Sequence, residues 1–229
     1  MSNDYNIKKN VDKIRNGGYT YFLNPGIVNE IKYMLSKDEY NIYKPYPDSD
    51  KVILYTLLVP KIRLFLIESY FSLTHAEILG SLFALNINDE VFGDIVIDGD
   101  NYYLYVMDEI YDFILDNFTM VGNKSIKLIE VPLDTLENYY RKYEKLEFVV
   151  SSLRADAVIA RIISSNRETV KNKIKNKDIL VNYKVLANNS YVFRDGDIFS
   201  IRKFGKYKFS GVVKMTKKDN YVICCFKYL

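Results

Sequence analysis

The sequence predicts an α+β fold built from several parts, and three observations indicate it. Helix signals dominate the first 60 residues, strand and helix patterns alternate over residues 61–132, and a strongly basic strand-and-helix pattern fills residues 151–229. With 229 residues, 48% of them hydrophobic, the chain is long enough for at least one real core. We expect an N-terminal helical segment over residues 1–60, an α+β unit over 61–132, a charged linker helix over 133–150 and a basic domain over 151–229.

The N-terminal segment carries a clear helix start. Asn24 can cap a helix, and Pro25 suits the first helical turn. Apolar residues then recur at helical spacing at Ile27, Ile31 and Leu35. The pattern predicts a short amphipathic helix after residue 24.

Residues 61–132 alternate between the periodicities of strands and helices. The patterns predict strands over 62–67, 95–97, 102–107 and 126–131, and helices over 74–85 and 108–118. An Asp-Gly-Asp turn at 98–100 joins the second and third strands. The resulting order, β-α-β-β-α-β, is the ferredoxin-like arrangement.

Charge divides the chain more sharply than any motif. Residues 149–229 hold 17 Lys and Arg against 6 Asp and Glu, a net charge of +11. The rest holds 15 against 23, a net charge of −8. An ordered domain with so large a basic surplus is typical of a protein that binds a polyanion, and nucleic acid is the usual partner.

Two helices are predicted at the start of the basic domain. Ser151 or Ser152 can cap the first, and the second starts near residues 165–166. On the second helix a spacing of four places a stripe of cations beside a buried seam, where the stripe can follow a phosphate backbone. The stripe consists of Arg167, Lys171 and Lys175, flanked by Lys173 and Lys177.

Strands complete the basic domain. A strand is predicted over 179–181, followed by turns at Asn182 and at 194–197. The next segment, RKFGKYKF, alternates basic and aromatic residues around Gly205, which favours a bulge or close backbone approach. Lys217-Lys218-Asp219-Asn220 marks a C-terminal hairpin.

Four blocks of the basic domain together resemble a known family. The blocks SSLRADAVIARII, SNRETVKNKI, ILVNYKVL and DGDIFSIRKFGKYKF resemble the alpha-L RNA-binding motif of the ribosomal protein S-four type. The ending RKFGKYKF and the upstream block LTHAEILGSLFALNINDEVFGDIVIDGD are similar to the YlmH family. The resemblance implies an S-four-type domain, in which two short helices on a small sheet grip structured RNA.

The resemblance also implies which residues contact RNA. Arg154 and Asp156 match the Arg-x-Asp that opens the first helix, although Ala155 stands where Leu is usual. Asn176 stands near the usual helix-ending Gly, and we expect it to take the left-handed turn. The candidate RNA-binding residues are Arg154, Arg161, Arg167, Lys171, Lys173, Lys175, Lys177, Lys184, Arg202, Lys203, Lys206 and Lys208.

The functional expectations also come from the family. Its members look like ribosome-associated factors, and close relatives of the motif act on large ribosomal subunits obstructed by peptidyl-tRNA, in ribosome-associated quality control. The family is also often linked with cell division. The implied partners are ribosomal RNA, tRNA and the large ribosomal subunit. The acidic N-terminal region is a candidate docking surface for a protein partner, which leaves open a role as a protein-interaction factor.

An enzymatic role is the alternative, because S-four-type motifs are often attached to pseudouridine synthases and methyltransferases. The sole histidine, His75, lies in the sequence Thr-His-Ala-Glu, which predicts a helix capping box rather than a general base. We expect no catalytic residue and no cofactor. We also expect no metal site, since Cys224 and Cys225 lack partners at zinc spacing. An RNA-modifying enzyme, or its RNA-targeting subunit, remains the alternative hypothesis.

Three features of the sequence predict the cellular compartment. Two adjacent cysteines with no other cysteine to pair with favour a reducing, cytoplasmic environment. The opening MSNDYNIKKN has no apolar core, so a signal peptide is not expected there. The longest apolar runs are too short to span a bilayer.

Overall fold

The computed structural model describes residues 3–229. The chain divides into two compact units, Met1–Tyr140 and Arg141–Leu229. The predicted helical segment and α+β unit both lie in the first unit, and the predicted basic domain lies in the second. The boundary falls inside the range predicted as a linker helix.

The first unit begins with two helices and a small sheet. Helices α1 (Asn3–Arg15) and α2 (Pro25–Lys32) precede the antiparallel strands β1 (Asn41–Tyr43) and β2 (Ile53–Tyr55). The Asn24 side chain accepts a hydrogen bond from the Ile27 backbone N–H at 3.1 Å, which confirms the predicted cap. The two strands correct the expectation of a purely helical segment.

The larger part of the first unit is a four-stranded antiparallel sheet with two helices. Its strands lie in the order β4-β5-β3-β8, and all neighbouring pairs are antiparallel. All six predicted elements are present, with a two-stranded hairpin added before the last strand. The elements are β3 (Ile62–Glu68), α3 (His75–Ala84), β4 (Phe92–Asp98), β5 (Asn101–Met107), α4 (Tyr111–Asn117), the hairpin β6 (Met120–Val121) and β7 (Lys124–Ser125), and β8 (Lys127–Val131).

The second unit is a six-stranded sheet with two helices. The strands lie in the order β11-β10-β12-β13-β14-β9, with every neighbouring pair antiparallel. Val158 and Val170 of the helices share one buried core with Phe199 and Phe209 of the sheet. The elements are β9 (Tyr143–Val150), α5 (Ala155–Ile162), α6 (Arg167–Lys175), β10 (Ile179–Val181), β11 (Lys184–Val185), β12 (Ile198–Ile201), β13 (Gly205–Met215) and β14 (Tyr221–Tyr228).

The predicted linker helix over 133–150 is wrong. Residues Leu133–Leu136 form one short 3-10 turn, and β9 then joins the sheet as the edge strand beside β14. Leu146, Phe148 and Val150 alternate toward the core of the second unit. The period of two and the pairing with β14 therefore outweigh the helix propensity of the charged residues between them.

One local prediction in the second unit is also wrong. Neither Ser151 nor Ser152 caps α5, because the helix begins at Ala155 with Arg154 in extended conformation before it. Gly205 has a positive φ of 112°, which glycine adopts without strain, and it pairs with Ile201. The register shifts of β13 lie further along, between Phe209 and Lys214. The C-terminal hairpin of β13 and β14 agrees with its prediction.

Across residues 3–229, no helix combines the length and the apolar character that crossing a bilayer requires.

Candidate nucleic-acid interface

A groove opens in the second unit where the end of β9 meets the connection between α5 and α6. Its volume is about 420 Å³, and two guanidinium groups lie in its walls beside hydroxyl and amide groups. Permanently charged, planar guanidinium groups next to hydroxyl donors are suited to phosphate oxygens. The polar lining residues are Ser151, Arg161, Ser164, Ser165, Asn166 and Arg167.

The turn after α5 brings the two arginines to the same groove. Ser164 has a left-handed backbone with φ of 51°, and the Ser165 N–H donates to the Ala160 carbonyl at 2.9 Å. This is the usual Schellman ending of a helix, with serine where glycine is most common. It places Arg161, in the last turn of α5, close to Arg167, at the start of α6.

Arg167 occupies a position that is unfavourable for helix stability. A helix N-terminus carries about half a positive charge, so a cation there costs roughly 0.3–1 kcal/mol. Asn166 caps α6 by accepting from the Thr169 N–H at 2.8 Å, while the Arg167 guanidinium donates to Ser151 Oγ at 2.9 Å. The placement of Arg167 is therefore explained by the groove and not by helix stability.

The predicted cation stripe is present along α6. Arg167, Lys171 and Lys175 are all exposed, and their spacing of four puts them on one face of the helix. The Lys171 ammonium lies 3.2 Å from the Glu168 carboxylate, and both side chains are well exposed. A pair so exposed contributes little stability, so Lys171 can exchange this partner for a phosphate at small cost.

The end of α6 departs from the prediction. Lys177, not Asn176, takes the left-handed backbone, with φ of 61°. The Lys177 N–H donates to the Ile174 carbonyl and the Asp178 N–H to the Lys173 carbonyl, each at 2.9 Å. Those two bonds define a Schellman ending, which requires the left-handed residue one position after the cap. Lysine at that position costs roughly 1 kcal/mol relative to glycine.

A second group of candidates meets beyond the end of α6. The Lys173 ammonium lies over the Phe204 ring, 5.2 Å from its centroid. Arg202 pairs with Asp178 at 3.4 Å, and the Arg202 N–H donates to the Asp178 carbonyl at 2.9 Å. The structure therefore joins the turn between β12 and β13 to the end of α6, where it adds an exposed aromatic ring to the cations.

The remaining lysine candidates lie on the sheet and its turns. The Lys206 ammonium donates a hydrogen bond to the Tyr183 hydroxyl at 3.0 Å, and it also lies 4.8 Å from the centroid of the Tyr228 ring. Lys203 lies in the turn before β13, while Lys184 and Lys208 are exposed on β11 and β13. These positions are not part of the groove.

Arg154 has a structural contact of its own. Its guanidinium donates to both carboxylate oxygens of Asp156, at 3.2 and 3.4 Å. The Asp156 side chain is only 4% exposed, whereas that of Arg154 is 42% exposed. Arg154 therefore neutralises a buried carboxylate at the start of α5. A contact of Arg154 with RNA stays a prediction.

The turn before β12 is held by a second buried carboxylate. Asp197 accepts hydrogen bonds from the Asn182 amide, the Tyr191 hydroxyl and the Arg194 backbone N–H, each at 2.8 Å. Burial, together with the hydrogen bond to Asp197, raises the pKa of Tyr191 to about 12. The network fixes the predicted turn at 194–197 and with it the direction of β12.

His75 lies in a helix cap, and the two cysteines lie in the core. Thr74 accepts from the Glu77 N–H at 3.2 Å while Glu77 accepts from the Thr74 N–H at 2.8 Å, so the capping box around His75 is confirmed. Cys224 and Cys225 are both buried, and burial raises the pKa of Cys225 to about 12. Within the described part of the chain, no three His, Cys, Asp or Glu residues cluster as metal ligands would.

Sequence reasoning missed the hydroxyl groups of the groove. Ser151, which receives the Arg167 hydrogen bond, lies 16 residues away in the chain. Ser164 and Ser165 form the turn between the helices, and no periodicity distinguishes them from ordinary turn residues. The one signal in the sequence was the Ser-Ser-Asn run directly before a basic helix. Serine and asparagine are typical of a helix start, and their side chains supply several hydrogen-bond donors.

These features define an α+β protein with one strongly basic unit, whose exposed cations line a groove and one helix face. Comparison with known proteins gives the family. Residues 61–135 match the family model described as "Putative RNA-binding domain in YlmH". The predicted resemblance to the YlmH family is thereby confirmed.

Two further proteins resemble this chain. "Ribosome-associated protein quality control protein P2" of Bacillus subtilis (strain 168) is 32% identical over 154 residues. The alignment covers 67% of this chain, which spans about 60% of that relative's length. "Cell division protein ylmH from Streptococcus pneumoniae" is a solved structure with 25% sequence identity and a TM-score of 0.45, over 59% of this chain and 90% of that chain.

The matched segment lies in the acidic part of the chain, where charge did not predict nucleic-acid binding. Residues 61–135 hold 4 Lys and Arg against 13 Asp and Glu, a net charge of −9. The description of the family model names RNA binding, and the name of the Bacillus subtilis relative names the ribosome.

Proposed function

We propose that this chain is a non-enzymatic RNA-binding protein that binds structured ribosomal RNA and tRNA on the large ribosomal subunit. Its role would be ribosome-associated quality control of stalled translation, in the cytoplasm, with a link to cell division. The name of the Bacillus subtilis relative motivates the ribosomal role, and the family resemblance motivates the link with cell division. The observation that carries RNA binding is the groove in which Arg161 and Arg167 lie together.

We further propose a domain assignment for each unit. The second unit is an S-four-type domain, supported by two short helices that pack on one sheet with the cation stripe on α6. The β-α-β-β-α-β order of the first unit, with the strand order β4-β5-β3-β8, supports a ferredoxin-like assignment.

The electrostatics of the second unit favour phosphate as the main ligand. Residues 141–229 hold 20 Lys and Arg against 8 Asp and Glu, a net charge of +12. A compact unit with that charge attracts nucleic acid at long range, and binding should weaken steeply as salt rises. The proposed contact surface runs from the groove along α6 and consists of Arg161, Arg167, Lys171 and Lys175.

The second group of cations extends this surface toward bases. Lys173 and Phe204 place a cation and a partly exposed aromatic ring side by side at the end of α6. Aromatic rings stack on unpaired bases in RNA complexes, while lysines contact the phosphates. The other candidates, Lys177, Lys184, Arg202, Lys203, Lys206 and Lys208, are proposed as weaker, long-range contributors.

The acidic charge of the first unit favours a protein partner. A surface with a net charge of −9 over 61–135 repels RNA at long range but attracts a basic protein. We therefore propose that part of this unit docks a protein partner.

The groove assignment is tested by removing its two charges. We expect Arg161→Gln/Arg167→Gln to weaken binding to ribosomal RNA and to reduce the slope of log K against log salt by about 1.5 to 2. The control is Lys214→Gln/Lys217→Gln, which changes the net charge equally at two exposed positions outside the groove. Equal slopes for the two variants would refute the groove. Incubation of bulk ribosomal RNA with the protein, followed by nucleoside analysis, tests the enzymatic alternative.

A further inference from the structure

A second groove, lined by basic and aromatic residues, lies in the first unit. Its local charge differs in sign from the net negative charge of that unit. It has a volume of about 740 Å³ and opens between α1 and the segment that follows it. That volume lies in the range of about 300–1,000 Å³ that is typical of ligand sites. Its lining residues include Tyr5, Lys8, Lys9, Lys13, Tyr19 and Tyr21.

Local charge on α1 has the opposite sign to its surroundings. Residues 5–21 hold four Lys and Arg and one acidic residue, Asp12, whereas residues 61–135 carry a net charge of −9. Lys8 and Lys9 are exposed, and Lys13 is partly exposed. An RNA contact in the first unit is therefore electrostatically more favourable at this groove than along residues 61–135.

A turn of the backbone brings the aromatic rings against the lysines. Gly17 ends α1 with φ of +82°, and the Gly18 N–H donates to the Lys13 carbonyl at 3.0 Å. This left-handed ending reverses the chain, so Tyr19 and Tyr21 run back beside the helix. Gly17 is required at this point because other residues adopt that backbone only with strain.

The lysine at the centre of the groove lies directly over an aromatic ring. The Lys13 ammonium is 4.0 Å from the centroid of the Tyr21 ring, a cation–π contact. Burial, and then repulsion by Lys9, lower the pKa of Lys13. An anion bound here would relieve that repulsion.

Carboxylates limit where the anion can bind. Asp12 and Glu109 also line the groove, and a hydrogen bond to the Glu109 carboxylate raises the pKa of Tyr21 to about 12. The Lys13 ammonium covers one face of the Tyr21 ring. The phosphate is therefore expected nearer to Lys8 and Lys9, and the base nearer to the tyrosines.

We propose that this groove binds an unpaired nucleotide of the RNA, with its base stacked on a tyrosine ring and its phosphate held by the lysines of α1. The combination of cations with three tyrosines suits a nucleotide better than an acidic peptide, which would use the lysines alone. The inference rests on the proposed RNA binding but concerns a different surface from the groove of the second unit.

The test uses the full chain and a ribosomal RNA probe that contains 4-thiouridine. We expect ultraviolet cross-links to map to the peptide that holds residues 5–21 as well as to the second unit. Lys8→Gln/Lys9→Gln/Lys13→Gln should abolish the first cross-link and reduce the salt slope by about 2, at about 0.7 per single-stranded phosphate contact. The matched control is Lys32→Gln/Lys37→Gln/Lys44→Gln, three exposed lysines of the same unit outside the groove.

The outcomes separate this inference from the proposed function. Cross-links confined to the second unit, with equal slopes for both triple variants, would overturn the nucleotide groove and leave the proposed function intact. No cross-link to either unit would overturn both. Displacement of the residue 5–21 cross-link by polyglutamate but not by unlabelled single-stranded RNA would identify an acidic peptide site and reject the nucleotide. Tyr5→Ala, at a 60% exposed position, should weaken the cross-link without unfolding the unit.

Discussion

Replacing Arg154 by Met should destabilise the second unit by about 2 kcal/mol. The change removes the cation that pairs with the Asp156 carboxylate, which is only 4% exposed. Breaking a fully buried pair costs about 3–5 kcal/mol. Here the loss is smaller because the Arg154 side chain is 42% exposed and water already screens the pair. The N-terminus of α5 also stabilises the remaining carboxylate by up to about 1 kcal/mol.

A double-mutant cycle isolates the pair. Asp156→Asn removes the buried charge while keeping the shape, and we expect it to cost about 1 kcal/mol. The double variant should be no less stable than Arg154→Met, because no uncompensated carboxylate remains. The coupling between the two positions is therefore expected to be at least 1 kcal/mol.

Hydrogen exchange measured by mass spectrometry reports this cycle unit by unit. A loss of about 2 kcal/mol speeds exchange of the α5 amides by about 30-fold, whereas peptides of the first unit serve as an internal control. Arg154→Met within 0.5 kcal/mol of wild type, or strictly additive changes, would refute the structural role. The salt slope of RNA binding in Arg154→Met tests the separate prediction that Arg154 contacts RNA. A fall of about one unit would support that contact, and an unchanged slope would contradict it.

Three other predictions concern the second unit. Lys177→Gly should raise its stability by about 1 kcal/mol in thermal unfolding, because glycine adopts the left-handed backbone without strain, and a loss of stability would contradict this reading. Asp197→Asn should lower stability by about 2 kcal/mol, since the carboxylate accepts three hydrogen bonds, and an unchanged midpoint in urea would count against it. The Cys225 thiol should not react with Ellman's reagent at pH 8 until the unit unfolds, because burial raises its pKa from 9.0 to about 12. The pKa of the Cys225 thiol is higher in the folded state than in the unfolded state. Its contribution to the free energy of unfolding should therefore be complete below pH 9 and should decline as the pH increases toward 12. A free energy of unfolding that rises over that range would contradict the assignment.

Local signals in the sequence were sufficient for much of the fold. The cap at Asn24, the capping box around Thr74 and the period of α6 each depend on residues within four positions of one another, so they could be read directly. The strand β9 could not be recognised in this way. Its charged residues favour a helix, and its pairing partner, β14, lies about 75 positions further along the chain.

The candidate site was predictable only in part for the same reason. The stripe Arg167, Lys171 and Lys175 follows from helical spacing, but the contact between Arg167 and Ser151 depends on the tertiary packing of β9 against the helices. The basic groove on α1 was concealed by the acidic total of the first unit. Net charge over a long segment averages out a patch of a few residues, and only the fold shows that Lys13 and Tyr21 lie together.

Sedimentation with ribosomal subunits through a sucrose gradient tests RNA binding by the second unit most directly. We expect the wild-type chain and the Lys214→Gln/Lys217→Gln control to migrate with the large subunit at low salt. Arg161→Gln/Arg167→Gln should stay near the top of the gradient, because its phosphate contacts in the groove are lost. Absence of the wild-type chain from every ribosomal fraction, or equal co-migration of the groove variant, would contradict this function for the groove.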